Sequence, residues 1–170
     1  MKEIGLGNGK HGTCKQMKQQ EGMTLGATLK VKFFDELTTR ELYEILWART
    51  EVFLMEQGIV CQDMDGVDYD SLHCFLEKDG KVLAYLRAYY AEDGSVKIGR
   101  VLSVTHGEGL GARLMREAIP EIKQRMRCRS IALHAQVQAQ GFYEKLGFTV
   151  TSSVFLEENI PHVAMMLDNI

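Results

Sequence analysis

A glycine-rich segment at residues 106–111 has the composition of an anion-binding turn. It reads His106-Gly107-Glu108-Gly109-Leu110-Gly111. Glycines let backbone N–H groups approach an anion closely, and the first turn of a helix adds a partial positive charge. The segment lies between a strand pattern and a helical pattern, which predicts a pyrophosphate site; the alternative is an ordinary strand-to-helix turn. A dinucleotide fold is disfavoured, because the glycine spacing is not G-x-G-x-x-G.

The elements that would position this turn follow from the hydrophobic periodicity. Alternating apolar residues predict strands, and apolar residues three or four apart predict helices. Turn signals at Asp79-Gly80 and Asp93-Gly94 join three antiparallel strands into a meander. The order is β-α-β-β-β-α-β-α-β-β, in which the βαβ unit over residues 96–135 implies one parallel pair in a mixed sheet. The predicted strands cover residues 28–33, 72–78, 81–91, 95–104, 131–135, 149–153 and 163–167, and the predicted helices cover residues 39–57, 110–126 and 137–146.

The composition is that of one ordinary globular domain. The 170 residues carry 20 Lys and Arg against 23 Asp and Glu, which disfavours a protein held to nucleic acid by phosphate contacts. No stretch approaches the roughly 20 apolar residues of a membrane helix. The four cysteines are scattered, which disfavours a disulfide framework or zinc cluster and favours a reducing cytoplasm. Residues 1–27 are glycine-rich without a hydrophobic period, so we expect a flexible tail before a domain at residues 28–170.

A second motif gives the order of elements a specific meaning. Residues 142–148 read Phe142-Tyr143-Glu144-Lys145-Leu146-Gly147-Phe148. In this context the segment resembles the F-Y-x-x-x-G-F signature of the GNAT family, the Gcn5-related N-acetyltransferases. The glycine turn resembles the family's [R/Q]-x-x-G-x-[G/A] loop, and the resemblance covers residues 28–168. Shorter segments resemble the ElaA-like branch of the family: Arg49-x-x-Val52-Phe53, Glu56-Gln57, His73, Ile98-Gly99-Arg100-Val101 and Phe155-Leu156-Glu157-Glu158-x-Ile160-Pro161-His162.

The resemblance implies a GNAT-type fold, an α/β (α+β) fold with a mixed, mostly antiparallel central sheet flanked by helices. It also implies acetyl-coenzyme A (acetyl-CoA) as the cofactor, with its pyrophosphate in the glycine turn. Two departures predict weaker or rearranged pyrophosphate contacts: His106 replaces a basic or amide side chain, and the segment before the turn is slightly short. The implied cofactor-binding residues are Val101, Leu102, Ser103, His106, Gly107, Glu108, Gly109, Leu110, Gly111, Gln136 and Tyr143.

Acetyl transfer to an amine needs two proton transfers, and the sequence offers candidates for both. An alkyl ammonium must lose a proton before it attacks a thioester, and strand N–H groups can stabilise the developing oxyanion. The leaving thiolate must gain a proton, and Tyr143, which the resemblance places beside the coenzyme sulfur, is the expected acid. The base stays open between His73, Glu157 and His162. His134 is expected to point to solvent or to the helix layer.

The function expected from the sequence is N-acetylation of an amine on a small molecule or peptide, by direct attack in a ternary complex without a metal. Arg87 and His162 are candidate substrate ligands, Arg87 for a carboxylate. The acidic loop at residues 63–70 is interpreted as solvated, and its charge would attract a cationic acceptor. The alternatives are a degenerate coenzyme A-binding regulatory module without turnover and a non-enzymatic interaction protein. An exposed terminal strand would support a homodimer.

Overall fold

The computed structural model describes residues 26–168, and this part of the chain contains one sheet. Its strands are β1 (Thr28–Phe33), β2 (Leu72–Lys78), β3 (Lys81–Tyr90), β4 (Val96–Ser103), β5 (Ile131–Gln136), β6 (Thr149–Val150), β7 (Phe155–Glu157) and β8 (Ile160–Leu167). They lie in the order β1-β2-β3-β4-β5-β8-β6, and β7 also pairs with β8. Every pair is antiparallel except β4 with β5. The mixed, mostly antiparallel sheet expected from the sequence is confirmed.

Three α-helices join these strands: α1 (Thr39–Arg49), α2 (Leu110–Arg125) and α3 (Gln140–Glu144). A capping box starts α1, because Thr38 Oγ1 accepts a hydrogen bond from the Glu41 N–H and the Glu41 carboxylate accepts one from the Thr38 N–H. The sequence predicted one helix to residue 57, but the chain widens after α1 into a π-helical segment at Thr50–Glu56. Short 3₁₀ turns cover Phe34–Glu36, Val67–Asp70 and Val137–Ala139.

Side-chain alternation along β2 divides the core between the two faces of the sheet. Cys74 and Phe75 are both fully buried, and they belong to different apolar clusters. The larger cluster contains the inner stripe of α2, namely Leu110, Leu114, Ala118 and Ile122, and the residues of β5 that face it. The smaller cluster, which holds α1 against the opposite face, consists of Ile45, Ala48, Val52, Phe75, Val82, Tyr85 and Leu102.

The last hairpin differs from the sequence expectation and positions two candidate site residues. The sequence predicted a loop before a strand at residues 163–167, whereas β7 pairs with the start of β8. Glu158 and Asn159 form the turn between them, with φ of 49° and 61°. Residues with positive φ suit two-residue hairpin turns, but a Glu-Asn pair lacks the glycine that makes such turns recognisable. The hairpin places Glu157 and His162 beside β5, the strand with which β8 pairs.

The start of the described chain is attached to the domain. Ala27 is buried, and its carbonyl oxygen accepts a hydrogen bond of 2.8 Å from Arg113 Nη2. The expected flexible tail otherwise concerns residues 1–25, which lie outside the described residues. Among residues 26–168, no helix has the length and apolar character needed to cross a bilayer.

Candidate active site

The candidate active site is a cleft that opens where the two parallel strands separate. β4 and β5 pair only from Val96 with Ile131 to Ile98 with Leu133. Beyond that point β4 contains a bulge, since Tyr85 and Arg87 of β3 face Leu102 and Gly99, with one extra residue on the β4 side. Arg100, within the bulge, has φ of 55°. The bulge bends β4 away from β5 and leaves a gap in the sheet.

The cleft has a volume of about 270 Å³ and is lined from both faces of the sheet. Some of the predicted site residues line this cleft and others do not. The predicted residues that line it are Arg87, Val101, Gln136, Tyr143, Glu157 and His162. The predicted residues that do not line it are His73, Leu102, Ser103, His106, Gly107, Glu108, Gly109, Leu110 and Gly111.

Tyr143 presents a buried, neutral phenol at the cleft. It lies in α3, where Phe142 and Phe148 meet its ring edge-on with centroids 5.0 Å and 5.9 Å away. Gly147, with φ of 92°, ends this turn, and the N–H of Phe148 donates to the Tyr143 carbonyl. Burial raises the pKa of Tyr143 to about 12. The phenol therefore keeps its proton across the physiological range and can donate it.

The glycine turn has the backbone conformation of an anion-binding loop. Gly107 and Gly109 adopt left-handed φ values of 79° and 71°, and Gly109 is the N-cap residue of α2. No side chain among residues 26–168 caps α2, which leaves N–H groups of its first turn available to a ligand. Leu110 and Leu102 are core residues, and Ser103 Oγ donates to the Thr105 carbonyl. The backbone of this turn fits an anionic pyrophosphate.

Two side chains of the turn have unexpected surroundings. His106 Nε2 lies 2.8 Å from Oε1 of Glu56, at the end of the π-helical segment, and both side chains are exposed. Gln57, which follows Glu56 in the chain, accepts a hydrogen bond of 3.4 Å from Gln136. Both carboxylate oxygens of Glu108 are buried, and neither has a hydrogen-bond partner in the described part of the chain. The negative charge of Glu108 opposes that of a pyrophosphate.

The acidic loop is an ion-pair cluster rather than a solvated surface. Asp63 accepts hydrogen bonds from Nε of Arg49 at 2.8 Å and from Nε of Arg100 at 2.7 Å. Asp68 accepts from Nη1 of Arg49 at 2.8 Å and from Nη1 of Arg87 at 2.9 Å. Asp65 pairs with Arg87 and Arg100, and the Arg87 guanidinium lowers the pKa of Asp65 to about 2. The charge thought to attract a cationic acceptor is therefore neutralised by the chain's own arginines.

The structure places His73 in this buried cluster and not in the cleft. Its Nε2 donates to the Asp68 carbonyl at 2.9 Å, so its Nδ1 accepts from the Tyr85 hydroxyl at 2.8 Å. Burial lowers the pKa of His73, which favours the neutral ring. With 1% of the residue exposed and both nitrogens occupied, His73 has no atom available to an acceptor substrate.

Arg87 reaches the cleft, but its guanidinium is already engaged. Its Nη1 and Nη2 donate to Asp65 and Asp68, while Nε is buried and has no partner among the residues that the structure describes. A substrate carboxylate would therefore meet a guanidinium whose charge is balanced by two carboxylates. The role of Arg87 as a carboxylate ligand stays a prediction.

Two imidazoles lie on the same face of the sheet and border the cleft. His134 Nδ1 lies 3.0 Å from Oε2 of Glu157, and His162 Nδ1 donates to the Ile160 carbonyl at 2.8 Å. The Phe155 ring lies between them, edge-on to His134 at 5.0 Å and stacked on His162 at 6.2 Å. Sequence reasoning did not select His134, although the alternation of β5 could have placed it beside Gln136 on the face opposite Leu133.

Comparison with known proteins agrees with this geometry. The sequence model of the acetyltransferase (GNAT) domain matches residues 48–169. This chain belongs to the GNAT acetyltransferase family. The fold of this GNAT domain is that of acyl-CoA N-acyltransferases, and acyl transfer from coenzyme A is the chemistry of the family.

Individual relatives include members of the ElaA-like branch, as the sequence motifs predicted. Protein ElaA of Escherichia coli is 34% identical over 136 residues, which cover 76% of this GNAT chain and 89% of ElaA. A UPF0039 protein of Schizosaccharomyces pombe is 36% identical over 141 residues, which cover 81% of this chain and 94% of that protein.

Solved structures give the same assignment. An acyl-CoA N-acyltransferase from Pseudomonas aeruginosa has a TM-score of 0.78 and 37% identity, covering 84% of this chain and 99% of its own. The crystal structure of Escherichia coli ElaA has a TM-score of 0.77 and 30% identity, with the same coverage. The GNAT fold expected from the sequence is confirmed.

Proposed function

We propose that this protein transfers an acetyl group from acetyl-CoA to an amine of a small molecule or peptide, by direct attack in a ternary complex. The observation that carries this proposal is the cleft between β4 and β5, which presents a buried phenol, Tyr143, and two imidazoles to one volume. The reaction requires a donor for the leaving thiolate and an acceptor for the ammonium proton, and both kinds of group are present.

The backbone of the glycine turn and the first turn of α2 would hold the pyrophosphate of acetyl-CoA. Val101, Gln136 and Tyr143 line the cleft into which the rest of the molecule would extend. Bound acetyl-CoA supplies an activated thioester carbonyl. Backbone N–H groups of the bulge at Arg100 would bind the carbonyl oxygen as it gains charge.

Tyr143 is the acid in this proposal. Its hydroxyl donates a proton to the sulfur as the carbon–sulfur bond breaks, since a phenol kept protonated by burial holds that proton until a thiolate forms. Glu157 and His162 also border the cleft, on the side of the β7–β8 hairpin. The acceptor amine would lose its proton on that side.

A second candidate function is a coenzyme A-binding regulatory module without turnover. Glu56, which pairs with His106, and Glu108, which has no partner within residues 26–168, favour this module because both place a carboxylate near the pyrophosphate turn. Such a module would bind acetyl-CoA without releasing thiol. A cytoplasmic location and a homodimer stay predictions from the cysteine pattern and the exposed sheet edge.

The test is a thiol-release assay with acetyl-CoA across a panel of amines that includes amino acids, polyamines, aminoglycosides and lysine peptides. The product of any active pair is then checked by mass spectrometry for one added acetyl group on nitrogen. Release that depends on the amine and yields an N-acetyl product supports the transferase. Acetyl-CoA binding without release across the panel supports the module, and absence of both contradicts each candidate.

A further inference from the structure

We propose that His134 is the base that takes the proton from the acceptor ammonium, and that Glu157 is the residue that positions it. This inference rests on the proposed N-acetyltransferase function and deepens it by assigning the open proton acceptor. His134 contributes an imidazole to the same cleft as Tyr143. Its side chain is 38% exposed, so a substrate can reach it.

The hydrogen bond to Glu157 fixes which nitrogen of His134 can act. An ionised carboxylate only accepts hydrogen bonds, so the proton between the two groups belongs to Nδ1 of the imidazole. A neutral ring with its proton on Nδ1 has its lone pair on Nε2. Phe155 packs edge-on against the ring, with the two ring centroids 5.0 Å apart. His134 therefore offers Nε2 as a proton acceptor in a defined orientation.

The carboxylate distinguishes His134 from the other imidazole of the cleft. His162 also carries its proton on Nδ1, but its partner there is the Ile160 carbonyl, a dipole rather than a charge. When an imidazole becomes imidazolium, an adjacent carboxylate stabilises the new positive charge more than a carbonyl does. Besides Glu157, the titratable and charged residues that line the cleft with His134 are Cys61, Asp63, Arg87, Tyr89, Lys97, Arg100, Tyr143, Glu158 and His162.

The proton balance of the reaction is complete with these groups. The ammonium gives one proton to Nε2 of His134, the nitrogen–carbon bond forms, and the carbon–sulfur bond breaks. Tyr143 gives its proton to the sulfur and regains one from the nitrogen as the amide forms. His134 then returns its proton to water, so each turnover converts the ammonium and the thioester into an amide, a thiol and one released proton.

The pH dependence of kcat/KM tests this assignment, measured by thiol release with an active amine. His134→Gln is expected to lower kcat by about 100-fold or more. It is also expected to remove the acidic limb of the profile, which is the loss of kcat/KM at low pH. Glu157→Gln is expected to lower kcat with KM unchanged, because the imidazolium formed in the reaction loses its carboxylate partner. His162→Gln, the matched control on the neighbouring strand, is expected to keep the limb in place. Acetyl-CoA binding checks that each variant is folded.

The outcomes separate this proposal from the one on which it rests. A His134→Gln variant within threefold of wild-type activity would overturn the assignment and leave the transferase standing. The assignment is also overturned if His162→Gln is the variant that removes the acidic limb, or if Glu157→Gln keeps the kcat of the wild type. A wild type that binds acetyl-CoA but acetylates no amine overturns the transferase and the assignment together.

Discussion

Nη1 of Arg49 lies 2.8 Å from Oδ1 of Asp68, although only 1% of the arginine is exposed. The same oxygen accepts a hydrogen bond from Arg87, which is also buried. One carboxylate thus bridges two buried guanidinium groups and connects α1, the 3₁₀ turn at Val67–Asp70 and β3. These ion pairs fix the loop that forms one wall of the cleft.

Removing the charge of Asp68 should destabilise the fold strongly. Asp68→Asn keeps the volume but leaves Arg49 and Arg87 with less compensation in a buried place, and we expect a loss of about 3 kcal/mol in the free energy of unfolding. Urea denaturation measures this loss in the free energy of unfolding. Asp70→Asn, in the same loop but exposed, is the control and should change stability by less than about 0.5 kcal/mol. A loss below about 1 kcal/mol for Asp68→Asn would contradict the role given to this ion pair.

Glu41 should make stability depend on acid pH. Burial alone would raise the pKa of Glu41, but hydrogen bonds from Lys32, Thr38 and Lys30 outweigh it and lower the pKa to about 2. Since the folded pKa lies below the unfolded value, the stabilisation is complete above about pH 4.5 and is lost as the pH falls toward 2. Ionised Glu41 contributes at most about 3 kcal/mol to the free energy of unfolding.

Denaturation of the wild type and Glu41→Gln at several pH values isolates this contribution from that of other carboxylates. The variant should be less stable at pH 7, and the two stability curves should converge as the pH approaches 2. A constant difference between the curves over that range would show that ionised Glu41 does not contribute as the geometry indicates.

Tyr143→Phe should slow the chemical step without weakening acetyl-CoA binding. The variant keeps the ring in its apolar site but removes the proton donor, so we expect kcat to fall by about 100-fold or more while calorimetric binding of acetyl-CoA is retained. Because burial raises the pKa of Tyr143 to about 12, the wild type should show no loss of activity from this group below pH 10. Tyr43→Phe, exposed on α1, is the control. Unchanged kcat in Tyr143→Phe would remove the tyrosine from the mechanism.

A chain that begins at Met23 should fold and act like the full chain. The sequence assigns the domain to residues 28–170, and Ala27, just before it, is buried and accepts a hydrogen bond from Arg113. We expect the midpoint of thermal unfolding and the rate of thiol release to match those of the full chain. Loss of either property would show that residues 1–22 take part in the domain.

Local patterns predicted most of the fold. The Asp79-Gly80 turn has φ values of 52° and 74°, as a tight hairpin requires, and the glycine turn ends at the start of α2 as its motif indicated. These features depend on neighbouring residues, so periodicity and turn chemistry reveal them. The π-helical widening after Arg49 and the Glu158-Asn159 turn have no comparable local signal.

The site was less predictable because its contacts join distant residues. Asp68 pairs with Arg49 and Arg87, each 19 positions away, and His134 pairs with Glu157 across 23 positions. A sequence shows charges but not which of them meet, so sequence alone indicates a free acidic loop and makes His73 a candidate base. Tyr143, Gln136 and Val101 do line one cleft, and their assignment as cofactor-binding residues stays a prediction.

The central claim is that the glycine turn before α2 binds acetyl-CoA, and a thermal shift with acetyl-CoA tests it most directly. Binding stabilises the folded protein by about 2.7 kcal/mol when the ligand is at a hundredfold excess over its Kd. Gly109→Trp should block the turn, and Gly94→Trp controls for strain, since both glycines have left-handed φ, 71° and 78°, and open space around them. We predict a clear shift for the wild type and Gly94→Trp and none for Gly109→Trp. No shift in the wild type, or an equal shift in Gly109→Trp, would contradict the cofactor site proposed for this chain.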